Sequence, residues 1–264
     1  MYSIANTEQQ EQKKKQEDIL HQARTLRKLY LEGSLGGEVM PEDANPSLPK
    51  GDRLNYLYFT LPMALNYQRN SYTLWEAALR TFQDPATQDV YDPVAVIHML
   101  DDELRSKLTK YKIALQPNKH PATWRVLCET IVDHFDGDIR NLFITCSWNI
   151  QNILSYMQKT HKKSFPYLSG PKICNYWLYV MGSYTDAPLT GKESLSIAPD
   201  THVIQASLRL GLIQEDQILN SDVQAQVNQA WTQLLANTEL SLIDLHTPLW
   251  LWSRGGFQLL QTNS

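Results

Sequence analysis

The chain of 264 residues has only three cysteines, Cys128, Cys146 and Cys174, spread over three segments. They are too few for a disulfide framework and too scattered for a zinc site. No apolar run approaches the roughly 18 to 20 residues that span a bilayer. The longest, Ile173 to Met181, has nine residues and includes Asn175. The opening segment, MYSIANTEQQEQKKKQED, is polar and lacks the apolar stretch of a signal peptide. Excess positive charge is missing as well. Lys and Arg number 24 against 28 Asp and Glu, for a net charge of −4 and a pI near 6.0. That balance weighs against a general nucleic-acid binder, whose phosphate affinity comes mostly from Lys and Arg. Alternating runs rich in Val, Ile and Thr are absent, so no sheet is predicted. Together these absences predict a monomer without metal or cofactor, with no membrane segment, residing in the cytoplasm (nucleoid included) or the nucleus.

Hydrophobic residues make up 42% of the chain, enough to bury a full core in one large domain or two packed lobes. Residues 8 to 31 place Ile19, Leu20, Ala23, Leu26 and Tyr30 on one stripe among Glu, Gln, Lys and Arg, which predicts an exposed helix. Residues 33 to 51 are rich in Gly and Pro and read as a loop. Helical patterns follow from Arg53 onward. Asp92-Pro93 is a start signal, with Asp as cap and Pro at the first helical position. Further helices are predicted from His120 to Phe135, Ile150 to Met157, Lys172 to Met181, Asp200 to Leu212, Val223 to Leu235 and Leu240 to Trp252. The fold class is all-α, with residues 1–51 as an N-terminal helix and loop and residues 52–264 as the main domain.

The most informative stretch runs from Ser164 to Leu212. A short turn, Leu168-Ser169-Gly170-Pro171, leads into a helical pattern, with Lys172 at its mouth. A helix N-terminus offers unpaired N–H groups and a positive dipole end, which can hold a phosphate. Gly170 permits close approach, and Pro171 forgoes an N–H that the first helical position does not need. The positive dipole end disfavours the charged form of a lysine beside it, and partial burial would push it further toward the neutral amine that attacks a sugar carbon. A solvated surface lysine is the bland alternative. Asp200 can assist that attack, or simply cap its helix for about 1 kcal/mol. His202 reads as a packed or capping residue. Tyr176 and Tyr179 share the face of Lys172 and either line a pocket or fill the core. Lys159, His161, Lys162, Lys163 and Lys172 fall within fourteen residues and form either a solvated lysine face or an anion-gripping edge.

The segments LSGPKICN and PDTHVIQASLRLG resemble the hairpin and aspartate segments of the helix–hairpin–helix DNA glycosylases, specifically the endonuclease III type. Lys172 matches the position of that family's Schiff-base lysine, and Asp200 its catalytic aspartate. DRLNYLYFTLPMALNYQRNSYTLWEAAL is similar to the first helix and turn of the catalytic core, with Gln68 where the family often inserts a side chain into DNA. LTKYKIALQPNKHPATWRVLCETI and HTPLWLWSRGGF extend the resemblance over about residues 53 to 257. Leu168 stands where the family has its first hairpin glycine, and 28 residues separate Lys172 from Asp200, with the extra length in the region 182–198. Phe257 stands where the first iron–sulfur cysteine would be, which excludes a cluster of four thiolates.

The resemblance implies two helical lobes around a central cleft, one from about residues 95–190 and the other from 52–94 with 191–264. It implies an N-glycosylase, with associated AP lyase activity, acting on duplex DNA that carries a modified base. Lys172 and Asp200 would be catalytic, with Gln68, Lys162, Lys163, Ser169 and Gly170 on the DNA. Two other functions fit the same pattern, an N-glycosylase of free nucleosides or nucleotides and a non-catalytic helix–hairpin–helix binding protein.

Overall fold

The computed structural model describes residues 2–35, 40–195 and 199–258. Among them there are twelve α-helices and no strand, only an isolated bridge between Asn149 and Thr190. In chain order the helices are α1 (Tyr2–Leu31), α2 (Arg53–Thr60), α3 (Ser71–Gln83), α4 (Pro93–His98), α5 (Asp101–Lys110) and α6 (Lys119–Phe135). They continue with α7 (Arg140–Thr145), α8 (Ile150–Ser155), α9 (Pro171–Tyr184), α10 (Thr201–Arg209), α11 (Val223–Leu235) and α12 (Leu242–Arg254). The all-α expectation therefore holds, and most boundaries follow visible caps. Asp52, Asn70, Asp92, Asn149 and Asp200 each accept an amide of the first turn that follows.

The chain divides into two compact units, residues 40–196 and residues 1–39 with 197–264. This division differs from the expected one. Residues 52–94 share a core with the central segment, and α1 is not a separate appendage. Its apolar stripe, Ile19, Ala23 and Leu26, is buried in one cluster with Val203, Trp231, Leu245 and Leu249. The Trp231 indole N–H donates to Ser207 Oγ (2.9 Å), which in turn donates to the Val203 carbonyl (2.7 Å), so these two buried groups are served, while the Trp252 indole N–H of the same cluster has no hydrogen-bond partner. Arg24 grips Glu239 with two bonds of 3.0 Å, but both are exposed and the pair contributes little. Gly33, at φ +67°, closes α1, where the Ser34 amide reaches back to the Leu29 carbonyl.

The unit 40–196 is built on α2. Tyr58 sits among Phe59, Trp75, Phe82 and Tyr91, with ring centroids 5.2 to 5.7 Å away. The polar tips of these rings are paired. Tyr58 donates to the Ala44 carbonyl, Tyr91 to that of Ala78, and the Trp124 indole to that of Val90. Arg53 bridges the Gly137 carbonyl and Asp92, while Arg140 forks onto Asp138 and reaches the Gly51 carbonyl (2.8 Å). These bonds clamp the ends of α2, α4 and α6 to one another. The three cysteines are buried in this unit as separate thiols.

The stretch 33–51 departs from a plain loop. Its described residues include a 3₁₀ turn, Pro41–Asp43, whose Glu42 is fully buried. Local composition does not announce that burial, because the anchors, Trp75 and Tyr176, lie far along the chain. As for α1, Leu26→Ala should cost about 2 to 5 kcal/mol in urea unfolding of the unit 1–39 with 197–264, whereas Lys14→Ala should stay within about 0.5 kcal/mol. Equal effects would detach α1 from that core.

Candidate functional site

The hairpin begins where α8 widens. Residues Tyr156–Thr160 form a π-helical turn, and the His161 amide donates to the Tyr156 carbonyl (2.8 Å). The imidazole of His161 stacks on Tyr156 at 4.1 Å. Lys162 and Lys163 follow in a short turn and are exposed. Thr130 Oγ1 of α6 donates to the Ser164 carbonyl (2.9 Å) and pins that turn. Phe165 and Leu168 are buried and anchor the hairpin in the core. Leu168 thus occupies the expected glycine position as a packing residue.

The backbone of the hairpin differs from expectation. Gly170 has ordinary angles, φ −60° and ψ 140°. The left-handed residue is Tyr167, at φ +60°. Glycine at 170 avoids a tight contact, because a Cβ there would come within 3.1 Å of the Tyr167 carbonyl oxygen. That oxygen accepts the Gly170 amide at 3.0 Å, and the Phe165 carbonyl accepts the Ser169 amide at 2.9 Å. Ser169 is buried, and its hydroxyl donates to the Lys162 carbonyl (3.2 Å). It holds the basic turn against the hairpin. Pro171 occupies the first position of α9 and Gly170 provides no capping side chain. The amides of Lys172 and Ile173 therefore face the turn without a side-chain cap. Lys172 itself is exposed, as the solvated-lysine alternative has it.

The structure brings the Gln68 segment to this hairpin. Tyr67 packs on Tyr167 with centroids 5.5 Å apart, and Lys119 Nζ lies 4.9 Å over the Tyr167 ring. A hydrogen bond to the Tyr167 hydroxyl raises the pKa of Lys119. Gln68 is exposed and left-handed, at φ +50°. Arg69 fixes its loop through the carbonyls of Ile113 (2.7 Å) and Lys112 (3.2 Å). Gln68, Lys162, Lys163, Ser169, Gly170 and Lys172 are thus all in the unit 40–196. Lys119, Tyr67 and Tyr167 join them. Sequence reading misses these three because no local pattern pairs residues a hundred positions apart.

Asp200 lies in the other unit, in its own surroundings. Its Oδ1 accepts the amides of His202 and Val203, both at 3.0 Å, as the N-cap of α10. Its Oδ2 accepts the Trp250 indole N–H of α12 at 3.0 Å. His202 packs on Trp250 (5.5 Å) and its Nδ1 lies 3.3 Å from Ser253 Oγ, in agreement with a packed residue. Nearby His246 is buried. Burial lowers its pKa, and the Asp200 carboxylate opposes that shift.

The unit 40–196 holds a second unusual group. Glu42 Oε1 accepts the Trp75 indole N–H (2.8 Å) and the Tyr176 hydroxyl (3.0 Å). Burial pushes its carboxyl up to about 7, and the bonds from its own backbone amide, Tyr176 and Trp75 oppose the shift only in part. Because the folded pKa lies above the ordinary 4.5, the stabilising effect of the neutral acid is complete below about 4.5 and is lost as pH rises through about 7. Glu42→Gln should therefore gain stability relative to the native chain between pH 5 and pH 8, by about 3 kcal/mol in all. A pH-independent difference in denaturant unfolding would refute the buried ionisable acid. No protein-family model matches the chain, and no curated protein matches it.

Proposed function

We propose that this chain is a DNA N-glycosylase with associated lyase activity. The observation that carries this reading is the arrangement around Lys172. An amine sits in the first turn of a helix whose leading amides are uncapped, behind a hairpin that forces a close backbone approach. Exposed Lys159, Lys162 and Lys163 lie on the segment that leads into this hairpin, and Lys119 and Tyr67 pack on its Tyr167. Amides and lysines together suit a phosphodiester backbone, and exposed Tyr67 and Gln68 suit the gap left by an extruded base.

In the chemistry, the Lys172 amine forms a bond to C1′ of the nucleotide as the bond from C1′ to the base nitrogen breaks. The base leaves with that electron pair and takes up a proton. Loss of the amine proton and opening of the sugar ring give the iminium, and elimination of the 3′ phosphate completes the lyase step. Asp200 assists by accepting the amine proton and by opposing the positive charge that builds on the sugar. The net charge of −4 is compatible with DNA only if binding is local, through the lysine edge.

Borohydride trapping on duplexes with different modified bases tests this. Lys172→Ala should abolish the trapped adduct. Asp200→Asn should lower base release by at least about a hundredfold. It should also cost about 1 kcal/mol, since an amide can still cap α10 but turns an N–H donor toward the Trp250 indole. No adduct on any duplex, with base released from free nucleosides, would move the substrate to nucleosides.

Replacing Lys162 and Lys163 together by Ala should weaken duplex binding uniformly across sequences. The slope of log K against log salt should fall by about 2, one for each phosphate that a lysine no longer neutralises. An unchanged slope would place the DNA elsewhere.

A further inference from the structure

Among the described side chains, Tyr67 is the one exposed ring of a tyrosine, tryptophan or phenylalanine, at 48% exposure. Its loop is fixed on both sides. Ser71 Oγ donates to Asn66 Oδ1 (3.1 Å), and the Arg69 guanidinium holds the carbonyls of Ile113 and Lys112. Fixing the loop in this way is costly. Arg69 is partly buried, its Nε has no hydrogen-bond partner, and burial lowers its pKa. A clamp between loop and hairpin does not by itself account for this cost. A clamp is strongest with both rings buried, and Tyr67 leaves about half of its surface in water.

The neighbours of this ring give the partner's chemistry. Tyr67 meets Tyr167 with centroids 5.5 Å apart and planes at 38°. Lys119 Nζ lies 4.9 Å over the Tyr167 ring. The groups that perturb Lys119 are these two tyrosines, and among the described residues no carboxylate pairs with it. A cation without an acid partner, beside an exposed π face, suits a ligand that joins an anion to a planar ring, which is the make-up of a nucleotide. Ser169 ties the Lys162 carbonyl to the same hairpin (3.2 Å), so exposed Lys162 and Lys163 offer cations to further phosphates of a strand. The base itself must be open. A base inside a duplex is stacked on both faces, whereas an unpaired one has a face to give.

We infer that Tyr67, backed by Tyr167 and Lys119, is a stacking platform for an unpaired nucleotide of a DNA strand. The choice of DNA rests on the proposed function, while the aromatic pair and the cation do not. The partner of the unit 40–196 thereby narrows from duplex DNA in general to DNA with an open stretch, such as a gap or a strand end. Tyr67 holds the strand and takes no part in bond breaking.

The test uses the full chain, with anisotropy of a labelled single-stranded oligodeoxynucleotide as the readout. A strand of equal length built of tetrahydrofuran residues keeps the phosphates and lacks every base. It should bind at least about fivefold more weakly, the low end for one base–aromatic stack. Tyr67→Ala should lose a similar factor for the natural strand and nothing for the tetrahydrofuran strand. Tyr67→Phe keeps the π face and should bind as the native chain does. Competition by closed circular duplex, which offers no open base, should be indifferent to Tyr67→Ala. Lys119→Gln should lower the slope of log K against log salt by about 0.7, the share of one phosphate in a single strand. Melting curves show whether each variant is folded, and the tetrahydrofuran strand needs no variant at all. No binding of the natural strand, equal binding of the two strands, or a loss with Tyr67→Ala that is absent or equal on duplex overturns the inference. An unchanged salt slope removes Lys119 from it, and a ribonucleotide strand that binds more tightly than the DNA strand overturns the choice of DNA. Trapping on duplexes with modified bases is scored separately. Strand binding that depends on Tyr67 without trapping keeps the platform and removes the glycosylase. Trapping without such binding does the reverse.

Discussion

The interaction on which the unit 40–196 depends is the junction at Glu42 Oε1. One oxygen receives a donor from α3 and another from α9, and its own backbone belongs to the turn that precedes α2. Three segments distant in sequence meet at a single atom. The junction also fixes the rotation of α9, because Tyr176 must face Glu42 with its hydroxyl at 3.0 Å. Once that rotation is set, Lys172, one turn earlier, is placed on the same face. A charge-assisted bond of this kind is stronger than a neutral one, and charging it at neutral pH opposes burial. The unit thus accepts an energetic conflict at the point that orients its proposed nucleophile. Around it, the tips of Tyr58, Tyr91 and Trp124 find backbone carbonyls.

The hairpin ahead of α9 is held by different means. Leu168 and Phe165 are fully buried, so its position is set by packing. The strained residue is Tyr167, a bulky side chain at φ +60°, where a cost of about 1 kcal/mol or more is usual. Packing against Tyr67 and Lys119 offsets that cost and ties the Gln68 loop to the hairpin. Strain at one residue and a clamp across a hundred positions of sequence are thus two sides of the same arrangement.

The helices are legible in the sequence because each stripe of apolar residues and each cap is local. Asp92-Pro93 and Asp200 announce α4 and α10 within four residues of chain. Lys172 and Asp200 stand out for the same reason, as do the lysines at 162 and 163. The division into units is not legible. Ile19, Ala23 and Leu26 give an amphipathic stripe but carry no mark of the residues they meet, which lie near Val203, Trp231 and Leu245. Glu42 is invisible for a related reason. It sits in a stretch of Gly, Pro and acidic residues that reads as solvent-exposed, and its burial is decided by an indole and a phenol from two other helices. Gly170 shows the limit of reading glycine by type. Glycine suggests conformational freedom, yet the angles here are ordinary and only the nearness of the Tyr167 carbonyl favours it.

Asp200 shows how a structural role and a proposed chemical one can share a residue. Two helix amides on one oxygen and an indole on the other leave the carboxylate little freedom to turn. An N-cap alone would need one oxygen, and serine or asparagine would serve. The second oxygen has its own donor, delivered from α12, a helix that begins some forty residues later. His202 and Arg254 pack on the same indole, so its position is in turn supported. A group meant to oppose a transient positive charge must be ionised and oriented before the charge appears, because reorienting it during the reaction costs part of the gain. The bonds that hold Asp200 still are therefore what its proposed chemistry demands, and the cap is the means by which α10 provides them.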